Sequence, residues 1–355
     1  MKEKNLQMRR NVCLSSLFLL FMTMMSNNTY AQDQVATLQH NGEISTFYGG
    51  NAFIEAYNAA DTCDVITLSS GDFNVCDINK PIIIHGAGAR QDTTANYRNP
   101  TVFNGSITFN CGGSDTEHLI MEGVCFSAGV SYWNLFYAEF SKCCFWDRIY
   151  CHFHSAGWVG NVEDGDMSYC KFINCRINNM SFSRSVNVLL INSIVFDTFA
   201  LNQTPSPDKN LLAYNSYIVY GDENPARSDF FNCVIGGRPE RVPQESCSFY
   251  NCVLAKNGYE GSLLENAFNS NCMEVDTVSQ VFENFTGDFN NEQFILKDEI
   301  ASSIQGTDGS EVCIYGGMSP YSDRPKYMIL RRCTVGSRTT DDGHLSVDIE
   351  VVTEQ

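Results

Sequence analysis

Between Phe172 and Leu254 one short pattern of apolar and polar positions recurs: an apolar residue, a variable residue, Asn, Cys or Ser, a variable residue and a second apolar residue. It stands as Phe172-Ile173-Asn174-Cys175-Arg176-Ile177, Leu190-Ile191-Asn192-Ser193-Ile194-Val195, Phe230-Phe231-Asn232-Cys233-Val234-Ile235 and Phe249-Tyr250-Asn251-Cys252-Val253-Leu254. Ala213-Tyr214-Asn215-Ser216-Tyr217-Ile218 is a fifth copy. Upstream, Gly86, Gly105, Gly123 and Lys142 take the Asn place, and a weaker tenth copy sits at Asn271-Cys272. The first nine anchors are separated by 19, 18, 19, 32, 18, 23, 17 and 19 residues. A helical hairpin repeat of that length would show apolar residues three and four apart. These units are instead short, β-branched and aromatic, and alternate about a turn residue. Short β units in tandem predict a solenoid in which each coil packs only on its neighbours. A β-sandwich is the competing architecture, but its strands need not repeat in sequence.

Within the unit, Phe172, Cys175 and Ile177 are expected to point inward, while Asn or Gly takes the bend, since both tolerate left-handed backbone. Strands about 4.8 Å apart would let stacked Asn side chains bond one another. Sixteen cysteines are too dilute for a small disulfide scaffold. The repeat places Cys143, Cys175, Cys233, Cys252 and Cys272 at one inward position, with Ser193 and Ser216 between. They are expected to be free thiols acting as small buried fillers.

The bend-Asn coils, with Ile82-Ile83-Ile84-His85-Gly86-Ala87-Gly88 as an early coil, resemble the right-handed parallel β-helix superfamily that includes pectate lyases and polygalacturonases. The expected fold is all-β, a right-handed parallel β-helix of about ten coils. Asn51 to Ala60 reads as a short amphipathic helix with Asn51 as a candidate cap. In that family such a helix plugs the N-terminal end. Phe294 to Gly317 resembles the closing coil of exported bacterial β-helix proteins. Tyr327 to Val335 and Leu345 to Val352, joined by Asp341-Asp342-Gly343, are expected to form a small C-terminal β-ribbon that covers the last coil or attaches the protein elsewhere.

Residues 1–31 read as a signal peptide: Lys2, Lys4, Arg9 and Arg10, then an apolar run from Val12 to Met25, then Thr29-Tyr30-Ala31 before Gln32. That run is shorter than the roughly 20 residues a membrane span needs, and an uncleaved anchor helix is the alternative. The expected organisation is 1–31 signal peptide, 32–318 β-helix with its cap, and 319–355 extension. The net charge of −18 becomes −21 when four basic residues and Glu3 leave with the signal. Phosphate contacts need clustered Lys and Arg, so nucleic acid is excluded as a partner of the mature chain. The expected product is a monomer without a membrane span, secreted, periplasmic or on the outer cell surface, whose partner is a polysaccharide or cell-surface glycan.

The resemblance implies lyase chemistry through Ca2+ and an Arg or Lys base, or hydrolase chemistry through several Asp with Gly-His-Gly and Arg-Ile-Lys signatures. Neither hydrolase signature is present. Arg238-Pro239-Glu240-Arg241 departs from the lyase spacing and reads more economically as an exposed turn. The 32-residue gap adds about 13 residues to one coil, and long loops on rigid scaffolds are where sites are built. It offers three candidates. Glu163, Asp164 and Asp166 are an oxygen set for Ca2+, or an ordinary acidic turn. Cys151-His152-Phe153-His154 offers soft ligands to Zn2+ without a second pair. Trp146 and Trp158, with His152 and His154 beside them and Tyr132, Trp133 and Tyr137 one coil earlier, are a candidate sugar contact, or aromatics packed on the protein body. Two functions remain: a non-catalytic glycan-binding or adhesive module, and a polysaccharide lyase or hydrolase acting on polyuronides from a divergent site in the 143–173 coil.

Overall fold

Left-handed backbone recurs along the chain where the repeat predicts a bend: φ is +54° at Asn174, +45° at Asn192, +48° at Asn215, +57° at Asn232, +51° at Asn251 and +53° at Asn271, with Lys142 at +52° and Gly123 at +67°. Each bend turns the chain from a strand of one sheet, sheet A, into a strand of a second, sheet B. In the computed structural model the chain divides into two units, Met1–Asp33 and Gln34–Gln355. The described residues belong to the second: 34–90, 100–151, 166–183, 186–202, 211–220, 228–237, 247–265, 267–322, 328–339 and 345–353.

Sheet A stacks parallel strands in line from Val65–Leu68 to Phe268–Ser270, and sheet B from Gly71–Asn74 to Met273–Val275. A shorter third side, Ile107–Gly112, Val130–Phe136 and Asp166–Ser168, pairs beside them in the early coils. The result is an all-β parallel solenoid of about eight turns, against the ten coils expected. One anchor explains the difference. Gly105 (φ +117°) follows the sheet B strand Thr101–Asn104 and turns the next corner, so it is not an A-to-B bend. The nine remaining anchors delimit eight turns. Gly86, although on the bend, is absent from the positive-φ positions. It is small because a Cβ there would meet the Gly123 carbonyl at 2.5 Å.

The interior is the predicted one. Phe172, Cys175 and Ile177 are fully buried in a core that runs from Ala36 to Leu263. Rings stack from coil to coil, with Phe126 on Phe145 at 4.6 Å and 6°, Phe140 on Phe172 at 5.1 Å, and Phe230 on Phe249 at 5.2 Å. Full burial of each such ring contributes about 1.5–3 kcal/mol. The bend Asn side chains form the expected ladder in part: Asn232 Nδ2 donates to Asn215 Oδ1, Asn251 to Asn232 and Asn271 to Asn251, at 3.4, 3.3 and 2.7 Å.

Cys143, Cys175, Cys233, Cys252 and Cys272 are free thiols, but those of this post-bend column do more than fill space. Cys175 Sγ donates to the Phe140 and Ile173 carbonyls at 3.3 and 3.5 Å, and Cys252 Sγ to those of Phe230 and Tyr250 at 3.4 and 3.3 Å. Ser193 Oγ makes the same pair of bonds, to Phe172 and Ile191 at 3.0 and 2.9 Å. A small side chain with one donor suits this place, which is why Cys and Ser alternate there.

At the N-terminal end, the helix Ala52–Ala59 buries Ala52, Phe53, Ala56 and Tyr57, and Phe53 meets Phe103 at 4.6 Å. Asn51 occupies the cap position but makes no capping bond; its Oδ1 accepts from Asn74 Nδ2 at 2.7 Å instead. An antiparallel hairpin, Val35–His40 with Glu43–Tyr48, finishes that end of sheet A. The ribbon is present as Met328–Thr339 paired antiparallel with Leu345–Thr353.

Phe294 to Gly317 departs from expectation. Instead of closing the stack with another coil, residues 276–322 fold back over the outer face of sheet B. Val278, Phe282, Phe294, Leu296, Ile300, Ile304, Val312 and Ile314 bury against Ile194, Tyr217, Val234 and Val253 in a second core outside the coil. These outward positions are apolar in consecutive coils, so they require a cover, and the chain's own C-terminal segment supplies it. The segment is pinned by Asn192 Nδ2, which donates to the Ile314 and Gly316 carbonyls, both at 2.8 Å, and by Cys313 N donating to the Asn232 carbonyl at 2.8 Å. A Cβ on Gly316 would meet Asn215 Nδ2 at 2.7 Å, so this approach needs glycine.

Candidate functional site

Strand alternation gives each sheet an outer row of side chains, and the return segment makes the two rows differ. On sheet B, Cys125, Cys144, Arg176, Ile194, Tyr217, Val234 and Val253 are all buried. On sheet A every outward position from Val65 to Ser270 is half-buried or exposed. The open row is graded along the axis. Near the N-terminal end it is charged: His85 Nδ1 lies 3.4 Å from Glu122 Oε2, Lys142 Nζ 3.6 Å from Glu122 Oε1, and Lys171 Nζ 3.4 Å from Glu139 Oε2. The bond from His85, and then Lys142, hold the Glu122 carboxyl below its ordinary range.

Further along, the residue before each bend becomes apolar and then aromatic: Ile173, Ile191, Tyr214, Phe231, Tyr250. Tyr214 and Phe231 stack at 4.8 Å and 7°, and Phe231 and Tyr250 at 4.7 Å and 3°; Phe268 closes the row, tilted by 53°. Because the rings face one another, they present edges and phenol hydroxyls outward rather than flat faces. With Leu189 and Leu212 alongside, they form an apolar stripe across successive rungs about 4.8 Å apart. Tyr137, half-buried, stacks on the exposed Tyr169 at 4.9 Å and 11° as a separate pair at the side of the earlier coils.

Of the residues singled out in the inserted coil, Trp146 is 46% exposed on the strand Cys144–Cys151 of sheet B. Asp166 opens the strand Asp166–Ser168, its backbone paired with Asn134. His152, His154, Trp158, Glu163 and Asp164 lie outside the described residues, as does Arg238-Pro239-Glu240-Arg241. Tyr132 leaves the aromatic contact: it is fully buried in the core, because the strand Val130–Phe136 turns that position inward. Tyr137 stacks on Tyr169. Among the described residues no group of three His, Cys, Asp or Glu is arranged to hold a metal ion.

The signal of the sheet A stripe lies in the repeat and not in the inserted coil. The residue before the bend Asn faces outward by strand period, and it is Tyr, Phe and Tyr in three consecutive coils. The chain matches no family model, no curated protein and no solved structure.

Proposed function

We propose that the protein is an exported pectate lyase-like β-helix that acts as a non-catalytic binding or adhesive module, engaging polysaccharide along the outer face of sheet A. The observation that carries this reading is the asymmetry of the two flanks. The chain covers the apolar outer face of sheet B with its own return segment and leaves an apolar and aromatic stripe open on sheet A. An open stripe of this kind marks a contact surface. Tyr214 and Tyr250 each combine an apolar body with a polar edge, the chemistry suited to the mixed surface of a sugar. Lys171, Glu139, Asp229 and Ser248 on the same face supply polar groups beside the stripe. Binding along a rigid row of repeats favours a polymeric ligand, since each rung adds a small contact to the same chain.

Affinity electrophoresis through gels containing single polysaccharides tests the proposal. One polymer should retard the protein, and Tyr214→Ser with Tyr250→Ser should weaken that binding at least about tenfold, a loss of about 1.4 kcal/mol. The enzyme reading, with polyuronide cleavage in the 143–173 coil, predicts ultraviolet-absorbing unsaturated products or new reducing ends. Their appearance, in the presence or absence of Ca2+, would overturn the non-catalytic assignment.

A further inference from the structure

Beneath the return segment lies a cavity of about 360 Å3, lined by Arg90, Arg176, Glu292, Gln293, Tyr321 and Ser322 among others. It is on the opposite flank from the open stripe and independent of it. Arg176 projects from the outer face of sheet B and is only 2% exposed. No described carboxylate lies within ion-pair distance of it. Its Nε donates to the Phe289 carbonyl, and Nη1 and Nη2 both donate to the Glu292 carbonyl at 3.3 Å. The rings of Phe289, Phe196 and Phe294 surround the guanidinium at 5.2, 5.5 and 5.7 Å. A guanidinium carries five N–H donors; these bonds use three, and the Tyr321 hydroxyl is within reach of another.

The acids nearby are directed elsewhere. Glu292 Oε2 accepts from Thr286 N at 2.7 Å, Thr286 Oγ1 at 3.1 Å and Gly287 N at 3.2 Å, closing a turn of the return segment. Asp288 accepts from Asn290 N and Asn291 Nδ2 at 2.9 and 2.6 Å and faces solvent; these bonds, and then Arg176 from beyond ion-pair distance, hold its carboxyl below the ordinary range. Arg90 brings a second guanidinium to the same wall, with one Nη on the Asn290 carbonyl. A deeply buried cation with no carboxylate in ion-pair contact is costly, and a planar fork of donors matches an oxyanion.

We propose that this cavity binds a small oxyanion, a phosphate, sulfate or carboxylate group, between the guanidinium groups of Arg176 and Arg90. The bound anion neutralises Arg176 and ties the return segment to the coil stack.

Thermal melting and isothermal titration of the full chain in sodium phosphate, sulfate and acetate, each against sodium chloride at matched ionic strength, test this. At least one anion should bind saturably and raise the melting temperature above the chloride control, and the anion that does so identifies the source. Arg90→Gln should weaken that binding at least tenfold while melting in chloride as the parent does. Arg176→Lys, which keeps the charge and loses the fork, should weaken it as well; if that variant fails to fold, Arg90→Gln decides. Equal melting in all four salts, or unchanged anion affinity in Arg90→Gln, would overturn the proposal.

Discussion

Asn232 shows how much one side chain does at a bend. It holds a φ of +57°, donates to Asn215, accepts from Asn251, and its Oδ1 also accepts from Thr307 N of the return segment at 3.2 Å. Asn232→Gly should lose the side-chain bonds alone, about 0.5–1.5 kcal/mol each. Asn232→Ala should add the left-handed penalty of about 1–2 kcal/mol. Urea unfolding of both variants checks the order: alanine below glycine, glycine below the parent. His40 gives a pH signature. Its Nδ1 lies 2.7 Å from Asp64 Oδ2, and that bond raises its pKa above 6.5. A raised pKa means the contribution is fully present below pH 6.5 and lost as pH rises through the folded-state value. The melting-temperature gap between the parent and His40→Gln should therefore be widest just below pH 6.5 and close at alkaline pH. The bend residues and the inward Cys and Ser column were legible because they recur. The hydrogen bonds that select Cys and Ser there were not, since composition alone cannot distinguish a buried filler from a buried donor.

At the scale of elements, the return segment is the part that resemblance to a closing coil misassigned. Phe294 to Gly317 has the apolar content of a coil, and only its partners reveal that it covers sheet B from outside. The cue was present in Ile194, Tyr217, Val234 and Val253, outward positions that are apolar in four consecutive coils. A bare solenoid face would not need them to be. Phe294 is fully buried and meets Tyr217 at 4.6 Å, Phe282 at 5.2 Å and Phe196 at 5.6 Å. Phe294→Ala should cost about 3–5 kcal/mol. In limited proteolysis it should open residues 276–322 to cleavage before the coil stack. Cleavage that begins in the coils instead would show that the segment contributes little to holding itself in place.

Across the described residues of the solenoid, nearest-neighbour stacking leaves one flank closed by its own chain and the other open. The solenoid, the helical plug and the terminal ribbon were legible from repeat period and strand alternation. The site was less so: length marks the 143–173 coil as functional, whereas the sheet A stripe belongs to ordinary coils and emerges only once they are stacked in register. Hydroxyl-radical footprinting of the full chain with and without the polysaccharide that retards it is the most direct test of that assignment. The account predicts protection concentrated at Tyr214, Phe231, Tyr250 and Phe268, with Trp146 unchanged. Protection centred on Trp146 and the rest of the 143–173 coil, with the stripe still fully reactive, would contradict it.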